Sequence, residues 1–273
     1  MPQTINTNVA SINSQRNLSA SQTSLTTSME RLSSGLRVNS AKDDAAGLAI
    51  AERMNSQVRG MNVAIRNAND GISLLQTAEG AISKVSDMLQ RMRELAVQSA
   101  NATNTTDDRS NLDAEFQQLS QEVTRTALNS KFNGVAVIGS GAAALAYQVG
   151  ANNTDQVSVT TTNAATITST VTAGGITSTA AASTAMANID TALNAINTER
   201  ALYGAAQNRF EAIISTLQVS AENVTAARGR IMDADFASET ANLSRAQILQ
   251  QAGTAMLAQA NQLPQQVLQL LRG

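Results

Sequence analysis

The sequence predicts a mainly α protein: a long antiparallel helical bundle or coiled coil, with small β-hairpins in the middle of the chain and paired terminal helices. Two observations lead to this fold class. Apolar residues recur at alternating three- and four-residue steps over long stretches, which places their side chains along one face of a helix. The composition is 42% hydrophobic but only 2% aromatic, with two prolines. Such a composition suits thin helix-to-helix contacts, because little in it interrupts long helices or fills a thick core.

The residue types that the chain lacks exclude several classes of function. Its 273 residues contain no His and no Cys, which excludes disulfide frameworks, zinc fingers and Cys or His nucleophile systems. A net charge of −2, with both signs interspersed, indicates neither nucleic acid nor an anionic membrane as partner. Residues 1–6 carry neither a basic nor an apolar stretch, so we expect no cleavable signal peptide. We expect no cofactor and no enzyme activity.

The first half of the chain reads as two helices joined by a weak turn. We expect a terminal helix over 5–37 and a second, much longer one over 43–101, outside the length range of ordinary globular helices. The long helix repeats an apolar residue every seven positions, and a flanking row shifts by one position near Glu79-Gly80, as if the helix changes neighbours there. The seven-residue repeat consists of Met54, Met61, Ala68, Leu75, Ile82, Leu89 and Ala96.

The middle of the chain changes character after a third, shorter helix that begins near Thr106. An Asn133-Gly134 turn beside an alternating apolar run predicts one hairpin, and residues 147–149 and 157–159 predict a second. Residues 160–184 are nearly all Thr, Ser, Ala and Gly. We interpret that stretch as a solvated loop or thin surface element, with O-glycosylation as the alternative.

The second half of the chain is predicted to contain a long helix over 186–230 and a terminal helix after a joint at 228–235. Pairing the two long helices antiparallel brings the chain ends together. The terminal helix carries an apolar row in three-four steps that we name the terminal row, and two thin apolar helices bury little by themselves. We therefore expect neighbouring molecules to cover it. The terminal row consists of Leu249, Gly253, Met256, Ala260, Leu263, Val267 and Leu270.

Several motifs at both ends of the chain resemble the signatures of bacterial flagellin. The resemblance covers about residues 1–160 and 185–273, in the same order as in the family. The N-terminal motifs are Ile5-Asn6-Thr7-Asn8, Arg31-Leu32-Ser33-Ser34-Gly35-Leu36-Arg37, Ala41-Lys42-Asp43-Asp44-Ala45-Ala46-Gly47, Gln90-Arg91-Met92-Arg93-Glu94-Leu95-Ala96-Val97-Gln98 and Phe132-Asn133-Gly134. The C-terminal motifs are Gln207-Asn208-Arg209-Phe210, Ser244-Arg245-Ala246-Gln247-Ile248-Leu249, Ala258-Gln259-Ala260-Asn261 and Leu270-Leu271-Arg272.

The resemblance implies three regions and a structural function. Residues 1–42 with 231–273 would form the terminal-helix domain of the filament core, and 43–140 with 185–230 the long-helix bundle. Residues 141–184 would replace the outer domains that flagellins commonly carry. The family's function implies an extracellular filament subunit for motility, exported through the flagellar type III secretion channel. Its partners would be other copies of itself, a filament cap protein, hook-filament junction proteins and an export chaperone.

The resemblance also implies two sets of site residues. Filament-core contacts are expected at Ile5, Val9, Ile12, Leu249, Met256, Leu263, Val267, Leu270 and Leu271. Flagellins similar to this chain are recognised by a host Toll-like receptor through positions that match Arg91, Leu95 and Glu115; subunit contact is the alternative role for that surface. The ending 267–272 resembles a segment that cytosolic innate sensors recognise.

Two pairs of aspartates could in principle hold a metal ion, and two other kinds of protein could share this pattern of helices. Asp43 with Asp44, and Asp233 with Asp235, lie at helix starts or joints without other ligands nearby, so we expect them to cap helices rather than to hold a metal. A hook-filament junction protein shares such terminal helices, and a cytosolic coiled-coil scaffold or signalling protein shares the periodicity. The density of the matched motifs favours the filament subunit over both.

Overall fold

The computed structural model describes the backbone of residues 7–139, 144–161 and 163–270, and side chains as far as residue 262. Within those ranges the chain forms six helices and two short hairpins, so the predicted mainly α fold class is confirmed. The helices are α1 (Val9–Ser34), α2 (Ala45–Ser99), α3 (Thr106–Asn129), α4 (Ala164–Thr172), α5 (Thr179–Met232) and α6 (Phe236–Leu270). The strands are β1 (Lys131–Phe132), β2 (Val135–Ala136), β3 (Ala144–Gln148) and β4 (Gln156–Thr160). None of the described helices is both long and apolar enough to cross a membrane.

The chain divides into two compact units whose boundaries fall inside the long helices. Unit 1 is Met1–Ser56 with Asn223–Gly273, and unit 2 is Gln57–Glu222. The sequence-based boundaries, at 42/43 and 230/231, follow the ends of the helices instead. Compactness and helix ends are different criteria, so the three-region division by function stays a prediction.

The seven-residue repeat of α2 forms the core of unit 2. Its members from Ala68 to Ala96 are at most 1% exposed, whereas Met61 is half-buried. The second flanking row, Ala78, Val85 and Met92, is fully buried. The first row consists of Ala51, which is buried, and of Val58, Ile65 and Ile72, which are only half-buried. The predicted change of neighbours near Glu79-Gly80 is therefore confirmed.

Polar residues that interrupt the apolar rows of α2 and α5 meet one another. Gln207 Nε2 donates to Glu79 Oε2 at 3.2 Å, and Arg200 Nη2 lies 3.9 Å from Glu79 Oε1. Further along α2, Arg93 forms an ion pair with Asp190 at 2.6 Å. Contacts that advance along α2 while receding along α5 show the two helices antiparallel within unit 2, as predicted.

The start of α3 has its own local explanation. Thr105 Oγ1 accepts from the Asp108 N–H at 3.2 Å, while Asp108 Oδ2 accepts from the Thr105 N–H at 2.9 Å. This reciprocal capping box satisfies backbone N–H groups that the first helical turn leaves free. The Asp108 carboxylate accepts from the Thr105 hydroxyl and from the Thr105 N–H, and these two hydrogen bonds, in that order, lower its pKa. Phe116, about two turns further on, is fully buried.

Both predicted hairpins are present. Asn133 and Gly134 have φ of 48° and 81°, the left-handed conformation that a two-residue hairpin turn requires, and they join β1 to β2. The antiparallel pair β3 and β4 has Tyr147 opposite Val157. Tyr147 packs edge-on against Phe210 of α5, with ring centroids 5.5 Å apart, so this hairpin is attached to the helical core.

The prediction for residues 160–184 is wrong for most of that stretch. Residues 164–172 form α4, α5 begins at Thr179 rather than near Met186, and Ile176 between them is fully buried. Polar side chains hold this segment by its backbone rather than by large apolar groups. Asp113 Oδ1 accepts from the Ile176 N–H at 2.6 Å, and Ser99 Oγ donates to the Ile176 carbonyl at 2.5 Å.

Unit 1 contains the α1–α6 pair and the segments that lead into it. Helix α1 is shorter than the predicted 5–37, because Gly35 at φ 73° ends it. Residues 35–38 then pair with 231–234: Arg37 N–H donates to the Met232 carbonyl at 2.6 Å, and Ala234 N–H to the Gly35 carbonyl at 3.0 Å. Val38, buried beside Met232, anchors this joint.

Candidate assembly surface

Small and polar residues line the face where α1 meets α6. Ser11 and Ser28 of α1 are buried, as are Ala246 and Ala260 of α6. At Gly253 an added Cβ would lie 3.2 Å from Leu18 Cδ1, so the backbone of α6 approaches α1 closely there. The short side chains let the two helices pack tightly but bury little apolar area.

Two long-range hydrogen bonds set the register of the α1–α6 pair. Asn8 Nδ2 donates to the Ala260 carbonyl at 2.7 Å, and Ser11 Oγ donates to Asn261 Oδ1 at 2.8 Å. Asn8 also accepts from the Ser11 N–H at 3.0 Å and so caps α1. Directed polar contacts of this kind specify one alignment of two helices, whereas small apolar residues tolerate several.

The described members of the terminal row do not keep to one face, although its spacing predicts that they do. Gly253 and Ala260 face α1, whereas Leu249 and Met256 are 50% and 60% exposed. A row of three-four steps is wide enough to straddle the edge of a two-helix contact. The large side chains are thus left on the outside of the pair.

Unit 1 carries large apolar side chains that its own described residues leave exposed. Seven of them on α1 and α6 have exposed fractions between 49% and 66%. Soluble monomers rarely expose so many large apolar groups on one pair of elements, and such surfaces usually mark contacts with another molecule. We name the following set the outer apolar surface. Its members are Val9, Ile12, Met29, Phe236, Ile248, Leu249 and Met256.

Four of the nine expected assembly residues belong to the outer apolar surface: Val9, Ile12, Leu249 and Met256. The expected set did not include the other three members, Met29, Phe236 and Ile248. The remaining expected positions lie outside the residues whose side chains the structure describes. They are Ile5, Leu263, Val267, Leu270 and Leu271.

The residues expected at a receptor site are only partly brought together on the surface of unit 2. Arg91 donates through Nε to Glu115 Oε1 at 3.0 Å and through Nη1 to Glu94 Oε2 at 3.0 Å. These hydrogen bonds, to Glu94 first and Glu115 second, raise the pKa of Arg91. Leu95, by contrast, is 1% exposed and packs in the core.

The aspartate pairs serve mainly as caps. Asp43 accepts from the N–H groups of Asn39 and Ser40, Asp44 from the Gly47 N–H at 2.8 Å, and Asp235 from the Ala237 N–H at 3.0 Å. Capping is confirmed for Asp44 and Asp235, which directly precede α2 and α6, whereas Asp43 closes the turn before α2 and is not a helix cap. Among the described residues no cluster of three or more acidic side chains is arranged to hold a metal ion.

Two family models match almost the whole chain. The model of the bacterial flagellin N-terminal helical region matches residues 5–144, and that of the C-terminal helical region matches residues 186–271. The chain belongs to the bacterial flagellin family. The two matched regions include α1 and α6, which carry the outer apolar surface, and most of α2 and α5.

Similar proteins carry the same family name along their full length. The flagellin of Halalkalibacterium halodurans is 46% identical over 98% of this chain and 99% of its own. The flagellin of Bacillus subtilis is 39% identical at the same coverage. The crystal structure of Bacillus cereus flagellin is 33% identical and has a TM-score of 0.52, over 60% of this chain and 94% of its own. A putative flagellar hook-associated protein from Vibrio parahaemolyticus, with a TM-score of 0.60 at 14% identity over 70% of this chain and all of its own, shares the fold.

Family membership decides the general function. The chain is a structural subunit of the bacterial flagellar filament, which lies outside the cell. Flagellins are structural proteins rather than an enzyme family. Neither the hook-filament junction protein nor the cytosolic scaffold is favoured, because the relatives that match end to end are flagellins and flagellar filament core proteins.

Proposed function

We propose that the outer apolar surface is where copies of this chain contact one another in the filament. The observation that carries the proposal is the exposure of seven large apolar side chains on α1 and α6. Fully burying one such side chain is worth about 1.5–3 kcal/mol. A subunit whose helices meet through serine, alanine and glycine keeps that free energy available for association.

The type of contact follows from the shape of the assembly. A filament needs heterologous contacts, in which one patch meets a different patch on the next copy, because matched patches give closed dimers. Apolar side chains on both α1 and α6 supply two distinct patches. The five expected residues outside the described side chains, from Ile5 to Leu271, extend the same proposal toward both chain ends.

The test is assembly of a doubly substituted subunit, Leu249→Asp with Met256→Asp. Two buried carboxylates at a contact would raise the critical concentration for assembly by on the order of 100-fold or more, and electron microscopy would show no filaments. The matched control is Ala258→Asp, an exposed position on the same helix, which should assemble normally. Normal filaments from the double variant would contradict the proposal.

A second pair of substitutions extends the test to the end of the chain. We expect Leu263→Asp with Leu270→Asp to yield a secreted subunit that does not polymerise, whereas its helical circular dichroism stays close to that of the parent. Truncation after residue 248 should have the same effect, since α2, α3 and α5 bury their large side chains in unit 2. Polymerisation of either variant would exclude the C-terminal positions from the contact.

We also propose export through the flagellum's own secretion channel, without a cleavable signal peptide, and assembly with a cap protein, junction proteins and an export chaperone. Membership of the flagellin family and the extracellular position of the filament support this route. The test is secretion from cells whose flagellar export gate is inactivated. The chain should be missing from the medium; its undiminished appearance there would contradict the route.

Recognition by a host Toll-like receptor is proposed at the surface around Arg91 and Glu115. The exposed ion pair between them supports a polar contact, and Leu95 beneath would act by shaping that surface rather than by touching a receptor. Arg91→Ala should lower receptor signalling by soluble subunits without loss of helicity, with Lys84→Ala as an exposed control on the same helix. Equal signalling from the two variants would refute this site.

A further inference from the structure

A polar groove of about 480 Å³ runs along the α1–α6 pair within unit 1. Four side chains with charged or amide groups line it: Arg31 on α1 and Glu239, Asn242 and Arg245 on α6. The rest of its wall is mostly serine and threonine from α1, with Leu249 of the outer apolar surface at its edge. The groove is therefore continuous with the proposed contact surface.

Glu239 is the unexplained residue of this groove. The residue is only 8% exposed, and no hydrogen bond or ion pair joins its carboxylate to another described residue. The hydroxyl groups of Ser21, Ser24 and Thr27, which line the groove, donate to carbonyls of their own helix instead. A carboxylate with so little access to water gains from a fixed donor that enters the groove.

Arg31, on the same groove, has a donor group that lacks an acceptor among the described residues. Its Nε is buried and has no hydrogen-bond partner, although buried donors are nearly always satisfied. The groove thus contains an acceptor that lacks a donor and a donor group that lacks an acceptor. A primary carboxamide has both functions, since its NH₂ donates and its oxygen accepts. A glutamine or asparagine side chain is the chemical complement of the pair.

The outer faces of α1 and α6 supply such side chains in abundance. Over residues 7–30 and 240–262 the only charged residues are Arg16, Glu30 and Arg245, so charged occupants are scarce there. Exposed amides, in contrast, occur on both helices. They include Asn13, Asn17, Gln22, Gln247, Gln251 and Gln259.

We infer that the groove receives a glutamine or asparagine side chain from a second copy of the chain, which donates to Glu239 and accepts from Arg31. The inference rests on the proposed assembly through α1 and α6 and names one polar contact within it. It also assigns the two residues a role in assembly rather than in the stability of the free subunit.

The first test replaces Glu239 by Gln, which keeps its size but removes the anionic acceptor. Hydrogen bonds to charged groups are stronger than neutral ones, so the critical concentration should rise about tenfold. The matched control is Glu52→Gln, an exposed carboxylate of unit 1, which should assemble like the parent. If both variants assemble alike, the groove contact is overturned, while the filaments themselves leave the proposed function standing.

The free subunit distinguishes contact between copies from a pair within one chain. If Arg31 and Glu239 served each other, Glu239→Gln and Arg31→Gln would each lower the thermal midpoint of the unassembled subunit. We expect neither substitution to lower that midpoint, because the Glu239 carboxylate and the Arg31 Nε have no hydrogen-bond partner among the described residues of the free subunit, with Arg53→Gln as the exposed control. A midpoint lowered in step with weaker assembly would overturn the inference.

Crosslinking identifies the side chain that enters. The chain has no cysteine, so subunits with Thr27→Cys in the groove can be mixed with subunits that carry one cysteine at an exposed amide position. Oxidation of the mixed filaments should give heterodimers at one or two of the exposed amide positions of α1 and α6. No heterodimer at any of these positions would overturn the inference.

Discussion

The two units of this chain differ in where their large apolar residues lie: inside unit 2, but on the surface of the α1–α6 pair in unit 1. In unit 2, Tyr203, Phe116 and Phe210 are fully buried, together with the long row of α2. In unit 1, the α1–α6 interface buries serine and alanine, while Met256 and Leu249 face outward. Unit 2 therefore has a core of its own large side chains, whereas unit 1 leaves seven large apolar side chains of α1 and α6 exposed.

The difference separates stability from assembly. Unit 2 buries its aromatics against its own helices and needs no neighbour to exclude water from its core. Unit 1 has few apolar contacts inside it and leaves its outer apolar surface exposed, where we propose that neighbours bind. Substitutions in unit 2 should therefore act on folding of the subunit, and those on the outer apolar surface on polymerisation.

The largest expected effect lies in the core of unit 2. Phe210→Ala should lower the free energy of unfolding by about 3–5 kcal/mol, because it leaves a cavity beside Tyr147 and Gly71. Chemical denaturation followed by far-ultraviolet circular dichroism measures this change. The exposed Leu202, about two turns earlier on α5, provides the control substitution Leu202→Ala. Equal losses at the two positions would break the assignment of the core.

A smaller effect is expected at the start of α3. Thr105→Ala removes the hydroxyl that accepts from the Asp108 N–H and should cost about 1 kcal/mol. Thr124→Ala in the same helix removes a hydroxyl that bonds only to the Ser120 carbonyl and should change little. The same denaturation experiment compares them, and a loss at Thr124 that matches that at Thr105 would argue against the cap.

A still smaller effect on the free subunit is expected at the outer apolar surface. Leu249→Ala should change the free energy of unfolding of the unassembled subunit by no more than about 0.5 kcal/mol, although the position holds a leucine. Its side chain is half exposed and has little packing to lose. A loss above about 2 kcal/mol, typical of a buried leucine, would place Leu249 in a core of unit 1 instead.

The smallest expected effect is a loss of stability at low pH, when two aspartates become protonated. The backbone N–H groups of Ser40 and then Asn39 hold the pKa of Asp43 below its ordinary 3.8, and the Arg93 guanidinium lowers that of Asp190. Each carboxylate's contribution to stability is complete above the ordinary pKa and disappears as the pH falls through the lower folded-state value. NMR titration should give both midpoints below 3.8.

The two carboxylates provide each other's control in that titration. Arg93→Gln should return the Asp190 midpoint toward its ordinary value and leave the Asp43 midpoint unchanged, because Arg93 is not among the groups that lower the pKa of Asp43. A midpoint for Asp43 at or above 3.8 would contradict its role in closing the turn.

The sequence predicts unit 2 better than the α1–α6 pair. Local periodicity is enough to find the buried row of α2 and the Asn133-Gly134 turn, because each depends on residues close in the chain. Helix α4 and the burial of Ile176 were missed, since Asp113 and Ser99 hold that segment from far away in sequence. A chain rich in Thr and Ala carries no local sign of such contacts.

On α6 the spacing predicts a single apolar face, which the described residues do not form. Leu249 and Gly253 stand in one three-four row, yet one faces outward and the other faces α1. The spacing of apolar residues does not resolve which side of a narrow helix contact each residue lies on. The partner face on α1 consists partly of serines, which produce no hydrophobic periodicity in the sequence. The polar groove at Glu239 could not be predicted from the sequence either, because serine and threonine line most of it.

The central claim is that the outer apolar surface becomes buried in the filament, and methionine oxidation tests it most directly. Met29 and Met256 are 56% and 60% exposed, whereas Met92 in the core of unit 2 is fully buried. Dilute peroxide converts accessible methionines to sulfoxides, and mass spectrometry of peptides gives the rate at each one. Met29 and Met256 should oxidise rapidly in free subunits and at least tenfold more slowly in filaments, while Met92 stays slow in both. Equal rates for Met29 and Met256 in subunits and filaments would contradict the account.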